Sequence, residues 1–167
     1  VKTAKIQKEV VSIAYQGNVI EVWEAFYKAE IFVELGSDQT SLHNPWAGGY
    51  YPIGLTVEAS NEMMRNDAVG FKKLVKKSLI RHAAIIKKHS ERGTYFFDYG
   101  NAFLLESSKA DADITDDNGN FKYPSYVQDI MGPMCFDFGF GPFRWICTSG
   151  KSRDLEISDK IACNVLE

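Results

Sequence analysis

The longest regular pattern in this sequence is an amphipathic stretch over residues 66–93, and it limits the fold to one with a long, half-buried helix. Asn66-Asp67 is a polar start signal for that helix, and Gly93 suits the position just past its end. Most of its lysines fall on the side opposite its apolar residues. The residues that we predict to face the core are Phe71, Leu74, Val75, Leu79, His82 and Ile86.

Short apolar segments on either side of this helix predict a parallel sheet. We predict strands at residues 8–13, 29–35 and 94–98, which are short and rich in β-branched or aromatic residues. Val19–Lys28 lies between the first two strands with apolar residues at helical spacing, which makes a βαβ unit, although no turn residues separate this helix from the second strand. Further helices are expected at residues 56–65, capped by Thr56, and at residues 102–109. The chain is therefore predicted to be an α/β fold.

The composition of the sequence changes near residue 126, where glycine and aromatic residues become frequent. We therefore predict one domain over residues 1–125 and the beginning of a second α/β region over residues 126–167. The chain opens on Val1 rather than Met and closes within a helical pattern, so we expect it to be a segment of a larger protein.

Composition excludes several classes of protein. The hydrophobic fraction of 45% allows a real core, and the net charge of −3 argues against a nucleic-acid binder. No apolar run approaches the roughly 20 residues that span a bilayer. Cys135, Cys147 and Cys163 form neither a disulfide framework nor a zinc pattern with the histidines, and we expect buried, inert thiols in a reducing cytosol.

Ligands of open α/β sheets bind beyond the carboxyl ends of the strands, and polar residues follow all three predicted strands there. They are Gly17-Asn18, the loop that begins at Ser37, and Asp98-Tyr99-Gly100-Asn101. The run Gln39-Thr40-Ser41-Leu42-His43 is the best single candidate because hydroxyl, amide and imidazole groups crowd five positions. Each segment could equally be an ordinary turn, a helix cap or a loop that satisfies its own backbone.

Three basic residues are candidates for both functional and structural roles. His82 falls on the apolar face of the long helix, which favours a core residue with its hydrogen bonds satisfied over a ligand. His89, near the end of that helix, is expected to be solvated. Arg144, between aromatic residues, could clamp a carboxylate or form a structural ion pair.

Four motifs in this order resemble the urocanase family. They are Ser37-Asp38-Gln39-Thr40-Ser41-Leu42-His43-Asn44-Pro45, Gly49-Tyr50-Tyr51-Pro52, Phe97-Asp98-Tyr99-Gly100-Asn101 and Gly141-Pro142-Phe143-Arg144-Trp145. The resemblance runs along essentially the whole chain. It implies a Rossmann-like parallel sheet with flanking helices, present in part, and an enzyme that adds water to urocanate to give imidazolonepropionate in histidine degradation. In that family NAD⁺ acts as an electrophile and undergoes no net reduction.

The resemblance also assigns residues and partners. It implies a homodimer of the full-length enzyme in the cytoplasm, with urocanate as substrate and Arg144 as the candidate residue for substrate binding. The catalytic cysteine and the glycine-rich phosphate turn of the family are expected to lie outside this chain, so we predict the isolated chain to be inactive. A non-catalytic nucleotide-binding or interaction module and an NAD-dependent dehydrogenase are the alternatives. The cofactor-binding residues carried over are Asn18, Val19, Gln39, Thr40, Ser41, Leu42, His43, Tyr50, Tyr51 and Tyr99.

Overall fold

Helices surround a small parallel sheet in the computed structural model, which describes residues 1–40, 42–100, 102–141 and 146–166, the last by its backbone only. Strand β1 (Leu35–Asp38) pairs with strand β2 (Tyr95–Asp98), and Asp38 lies opposite Asp98 in the register. The helices are α1 (Lys2–Gln7), α2 (Val19–Lys28), α3 (Val57–Asn66), α4 (Ala68–Ser90), α5 (Phe103–Lys109), α6 (Gly132–Met134) and α7 (Ser152–Leu166). Short 3-10 turns at Pro45–Ala47 and Phe136–Phe138 and a π-helical turn at Tyr126–Met131 lie between them.

The connection from β1 to β2 is the crossover that a parallel pair requires. It contains α3 and α4, and α4 lies against α2, α3, α5 and β2. The predicted α/β class is confirmed by this arrangement.

Helix α4 supplies much of the core, as its pattern predicts. Phe71, Val75, Leu79 and Ile86 are buried along one face, and the predicted Leu74 is half-buried. They pack with a cluster that includes Ile20, Leu42, Phe96, Phe103 and Ile114. Burial of this kind is worth about 1.5–3 kcal/mol for each large apolar side chain.

The predicted helix starts are also confirmed, and side chains explain them. The Asn18 Oδ1 atom accepts from the amide of Ile20 at 3.0 Å, so α2 begins at Val19. Thr56 caps α3 through the amide of Ala59 at 3.1 Å, and Asp67 caps α4 through the amide of Gly70 at 2.8 Å. Such caps satisfy backbone amides that have no partner inside the helix.

The strand predicted at residues 8–13 is wrong. These residues follow α1 without regular structure, and Val10, Val11 and Ile13 are exposed. A β-rich sequence needs a neighbouring strand to bond its backbone, and none of the described residues pairs with this segment. The βαβ unit predicted around α2 is therefore wrong as well.

The second strand lies further along the chain than predicted. Ala29 and Glu30 form the turn that the sequence pattern lacked, and Glu30 adopts the left-handed conformation with φ 56°. The paired strand begins only at Leu35, where Tyr95 lies opposite. The third strand is confirmed at Tyr95–Asp98.

Residues 126–166 contain helices and turns in the part that the structure describes, without a strand there. The division at residues 125 and 126 stays a prediction. Across the described ranges, no helix has the length and apolar character needed to cross a membrane.

Gly36→Ala tests the close approach of α2 to the sheet. A Cβ atom at Gly36 would lie 2.5 Å from the Trp23 ring, so we expect the free energy of unfolding to fall by about 1–3 kcal/mol. Urea unfolding measures this loss. Gly132→Ala is the control, because its nearest neighbour would lie at an ordinary 3.7 Å. Equal midpoints for the two variants would contradict the packing described.

Candidate functional site

An open cleft of about 740 Å³ lies where the residues after β1 meet the first turn of α2. The Asn18 Nδ2 atom donates to the backbone oxygen of Tyr51 at 3.2 Å, which joins two of its walls. The hydroxyl of Tyr51 donates in turn to Asn61 Oδ1 at 2.8 Å, which anchors this wall to α3. The cleft is lined by Gln16, Gly17, Asn18, Val19, Glu21, Thr40, Gly49, Tyr50, Tyr51, Gly54, Leu55, Thr56 and Val57.

Two helices begin at this cleft. Asn18 and Val19 form the start of α2, and Thr56 and Val57 form the start of α3. The amides at a helix start carry partial positive charge and bind phosphate oxygens. Glu21, in the first turn of α2, adds one negative charge to the lining. The cleft therefore offers an anion two helix starts in its wall.

A buried group of polar side chains lies beneath the cleft. The Asp38 carboxylate accepts from the Thr40 amide at 2.9 Å and from the Thr40 hydroxyl at 3.0 Å, which fixes the turn after β1. The Tyr50 hydroxyl lies 3.3 Å from His82 Nδ1, and both side chains are buried. Thr40 and Tyr50 line the cleft, whereas Asp38 and His82 support them from inside.

Burial changes the protonation of this group. It raises the pKa of Asp38 from 3.8 to about 6, with a smaller contribution from the charge of Asp98 and an opposing one from the Thr40 hydrogen bonds. Burial also lowers the pKa of His82 from 6.5 to about 3, so the imidazole is neutral at pH 7. The 3.9 Å from His82 Nε2 to Asp38 Oδ2 is too long for a hydrogen bond, and with a neutral ring it is not an ion pair. The pKa of Tyr50 is raised, chiefly by burial.

The end of β2 lies beside the end of β1 at the same edge of the sheet. The Tyr99 amide donates to the Asp38 backbone oxygen at 3.1 Å, and Asp98 Oδ1 accepts from the Gly100 amide at 3.1 Å. The ring of Tyr99 stacks on that of Tyr126, with centroids 4.9 Å apart and planes 6° from parallel. A smaller cavity of about 320 Å³ lies on this side of the edge, lined in part by Asp98, Gly100 and Val127.

Comparison with known proteins identifies the family of this chain. A family model for the urocanase Rossmann-like domain matches residues 1–130, and one for the urocanase C-terminal domain matches residues 133–167. The chain belongs to the urocanase family. Its sheet is thus part of the Rossmann-like domain of urocanases, as the sequence predicts.

Several urocanase relatives match nearly the whole chain. The chain is 55% identical to a probable urocanate hydratase of Caenorhabditis elegans over 100% of its length. It is 54% identical to a probable urocanate hydratase of Dictyostelium discoideum over 96% of its length, and 48% identical to a urocanate hydratase of Mus musculus over 99%. It spans 26%, 24% and 26% of the lengths of these three relatives, respectively.

The cofactor residues predicted from the resemblance to urocanases fall into two groups, those that line the cleft and those that do not. The cleft brings together Asn18, Val19, Thr40, Tyr50 and Tyr51. Thus the turn before α2 and the loop after β1 converge as expected, although the turn follows no strand.

The other carried-over residues do not line this urocanase cleft. Gln39 and His43 are exposed, and the Leu42 side chain is fully buried in the core. Tyr99 lies at the neighbouring strand end and is 40% exposed. Six motif residues lie outside those that the structure describes, and two of them are predicted site residues, Ser41 and Arg144.

Two expectations about histidines are wrong. His89 is buried rather than solvated, with its Nε2 atom 2.8 Å from the backbone oxygen of Trp23 and its ring against Trp23 and Tyr27. His82 is a core residue, but its hydrogen bonds are not all satisfied, because Nε2 has no partner among the described residues. The helical period of α4, which places His82 inside, could have placed His89 inside as well, since the two are two turns apart on one face.

Asp38 is the site residue that sequence reasoning missed. It belongs to one of the urocanase motifs, but the sequence pattern alone assigns it no role, although an aspartate directly before a polar loop is a common turn former. No group of three or more metal-binding side chains occurs in the described ranges. Cys135, Cys147 and Cys163 are free thiols there, but their predicted burial is wrong, because the first two are half-buried and Cys163 is exposed.

Asp38→Asn should change the pH dependence of stability. A carboxyl whose pKa is raised on folding stabilises the fold fully below its unfolded value of 3.8 and loses that contribution as pH rises through about 6. The shift corresponds to about 3 kcal/mol at about 1.4 kcal/mol per pKa unit. Between pH 4 and pH 7 the free energy of unfolding of the wild type, measured with urea, should therefore fall relative to that of the variant by about this amount. Parallel pH profiles would contradict the burial of an ionisable Asp38.

Proposed function

We propose that the chain is part of a urocanate hydratase, which adds water to urocanate to give imidazolonepropionate, with NAD⁺ bound at the cleft. The observation that carries this proposal is the convergence of five of the ten predicted cofactor residues on one cleft at the carboxyl edge of a Rossmann-like sheet. The names and the 48–55% identity of the relatives support it. Because the chain spans about a quarter of those relatives, the activity is a proposal for the full-length protein.

The cleft suits a dinucleotide in its chemistry. The starts of α2 and α3 favour the pyrophosphate, and the hydroxyl of Thr40 and the amide of Asn18 can bond oxygen atoms. Aromatic faces at Tyr50 and Tyr51 give the lining an apolar part, as ligand sites usually have. When bound, NAD⁺ would supply an electrophilic nicotinamide ring. The residues proposed to hold it are Asn18, Val19, Gln39, Thr40, Ser41, Leu42, His43, Tyr50, Tyr51 and Tyr99.

The remaining parts of the proposal rest on the family resemblance. Arg144 is proposed to bind the carboxylate of urocanate, since a guanidinium pairs with that group through two hydrogen bonds. Residues 1–125 are proposed to belong to the NAD-binding domain and residues 126–167 to begin the catalytic region. A homodimer in the cytoplasm is proposed for the full-length protein, and the free cysteines support a reducing compartment.

Turnover of urocanate by the full-length protein tests the activity. We expect the urocanate absorbance to fall with time without the appearance of reduced nicotinamide, because the cofactor undergoes no net reduction. Binding of NAD⁺ without turnover would favour the non-catalytic nucleotide-binding module. Reduced nicotinamide formed in step with substrate loss would indicate a dehydrogenase instead.

Asn18→Asp tests whether the cleft holds the cofactor. The aspartate keeps the oxygen that caps α2, but it loses the bond to Tyr51 and adds a negative charge beside the proposed pyrophosphate. We expect NAD⁺ affinity in the full-length protein, measured by calorimetry, to fall at least about tenfold, or about 1.4 kcal/mol. Asn118→Asp makes the same chemical change in an exposed loop and should leave affinity unchanged. Equal affinities for both variants would remove the cleft from the proposal.

A further inference from the structure

One buried histidine is unusual for its incomplete hydrogen bonding. His82 is fully buried on α4, and its ring lies 4.7 Å from that of Phe103, centroid to centroid. The Nδ1 atom faces the Tyr50 hydroxyl at 3.3 Å, whereas Nε2 has no partner among the described residues. A buried polar nitrogen without a partner destabilises the folded state, and an apolar side chain would avoid that cost. Packing alone therefore does not account for an imidazole at this position.

The two ring nitrogens face two different parts of the cleft wall. Nδ1 faces Tyr50, and Nε2 lies 3.9 Å from Asp38, whose carboxylate fixes Thr40. Because the ring is neutral, a hydrogen bond from the Tyr50 hydroxyl to Nδ1 leaves the proton on Nε2. That proton then faces the negative end of the Asp38 side chain. One ring thus connects the loop after β1 with the loop that contains Tyr50.

A second buried histidine on the same helix provides a comparison. His89 lies two turns from His82 on the same face of α4 and is 2% exposed. Its Nε2 atom is paired with the Trp23 backbone oxygen, and its ring packs against Trp23 and Tyr27. Neither Trp23 nor Tyr27 lines the cleft. His89 is therefore a buried histidine whose contacts are those of the core.

We propose that His82 is a positioning residue for the cofactor cleft, which acts through Tyr50 and through the Asp38–Thr40 turn and does not itself touch the ligand. The inference rests on the proposed function, since it takes NAD⁺ as the ligand of the cleft. It adds a residue that none of the urocanase motifs contains.

His82→Leu in the full-length protein tests the proposal, with His89→Leu as the matched control. We expect the dissociation constant for NAD⁺, measured by calorimetry on the apoprotein, to rise at least about tenfold for His82→Leu and less than about twofold for His89→Leu. The unfolding temperature of the apoprotein should fall for both variants, because each removes one buried hydrogen bond. A purely structural role for His82 would leave the dissociation constant unchanged.

A conservative variant and a partner variant make the test sharper. His82→Asn offers a side-chain oxygen near the position of Nδ1, so it should recover part of the affinity that leucine loses. Tyr50→Phe removes the same hydrogen bond from the other side and keeps the ring packing, so it tests the contact even if His82→Leu fails to fold. The double variant of His82→Leu and Tyr50→Phe should bind no more weakly than the weaker single variant, because both remove one interaction.

The outcomes separate this proposal from the one it rests on. If Asn18→Asp weakens NAD⁺ binding while His82→Leu and Tyr50→Phe do not, the positioning role is wrong and the cofactor cleft stands. If the wild-type protein does not bind NAD⁺, or if Asn18→Asp binds it normally, the cofactor cleft is wrong and the role of His82 fails with it.

Discussion

The parallel pairing of β1 with β2 is the interaction on which the rest of the described structure depends. Backbone hydrogen bonds bring Asp38 and Asp98, which are distant in the sequence, to opposite positions at the last residue of each strand. Each carboxylate then bonds the amides of the turn that follows it. The strand ends and the loops beyond them therefore form one continuous hydrogen-bonded edge. Without the ladder, neither the Thr40 turn nor the Tyr99 turn would have a fixed place.

This edge places ionisable groups where water does not reach them. The pKa of Asp38 is higher than that of a solvated carboxyl, chiefly because Asp38 is buried, and His82 stays neutral for the same reason. Their protonation preferences oppose each other in the pH dependence of stability: a raised acid pKa favours low pH, and a lowered histidine pKa favours high pH. The fold keeps both groups beneath the cleft, which is consistent with a role in shaping the cleft wall.

Sequence patterns predicted the helices better than the strands, and the reason is physical. The start of α2 and the buried face of α4 follow from caps and periodicity, which are local properties. The failed strand at residues 8–13 has a suitable composition, yet pairing depends on a distant partner that no local pattern reveals. Five of the ten predicted cofactor residues meet in one cleft, because the segments that contain them converge at the same edge of the sheet. The contact of His82 with Tyr50 was hidden because the two belong to elements far apart in the chain.

The stacked pair of Tyr99 and Tyr126 has a consequence for what can reach the end of β2. Pro124 accepts a backbone bond from Asp98 at 2.9 Å, and Tyr126 covers one face of Tyr99 two residues later. These two contacts hold the start of the π-helical turn against the end of β2. A flat ring approaching Tyr99 can stack only on the face that Tyr126 leaves open. The direction of approach at this strand end is thus set by Tyr126, a residue from a later turn of the chain.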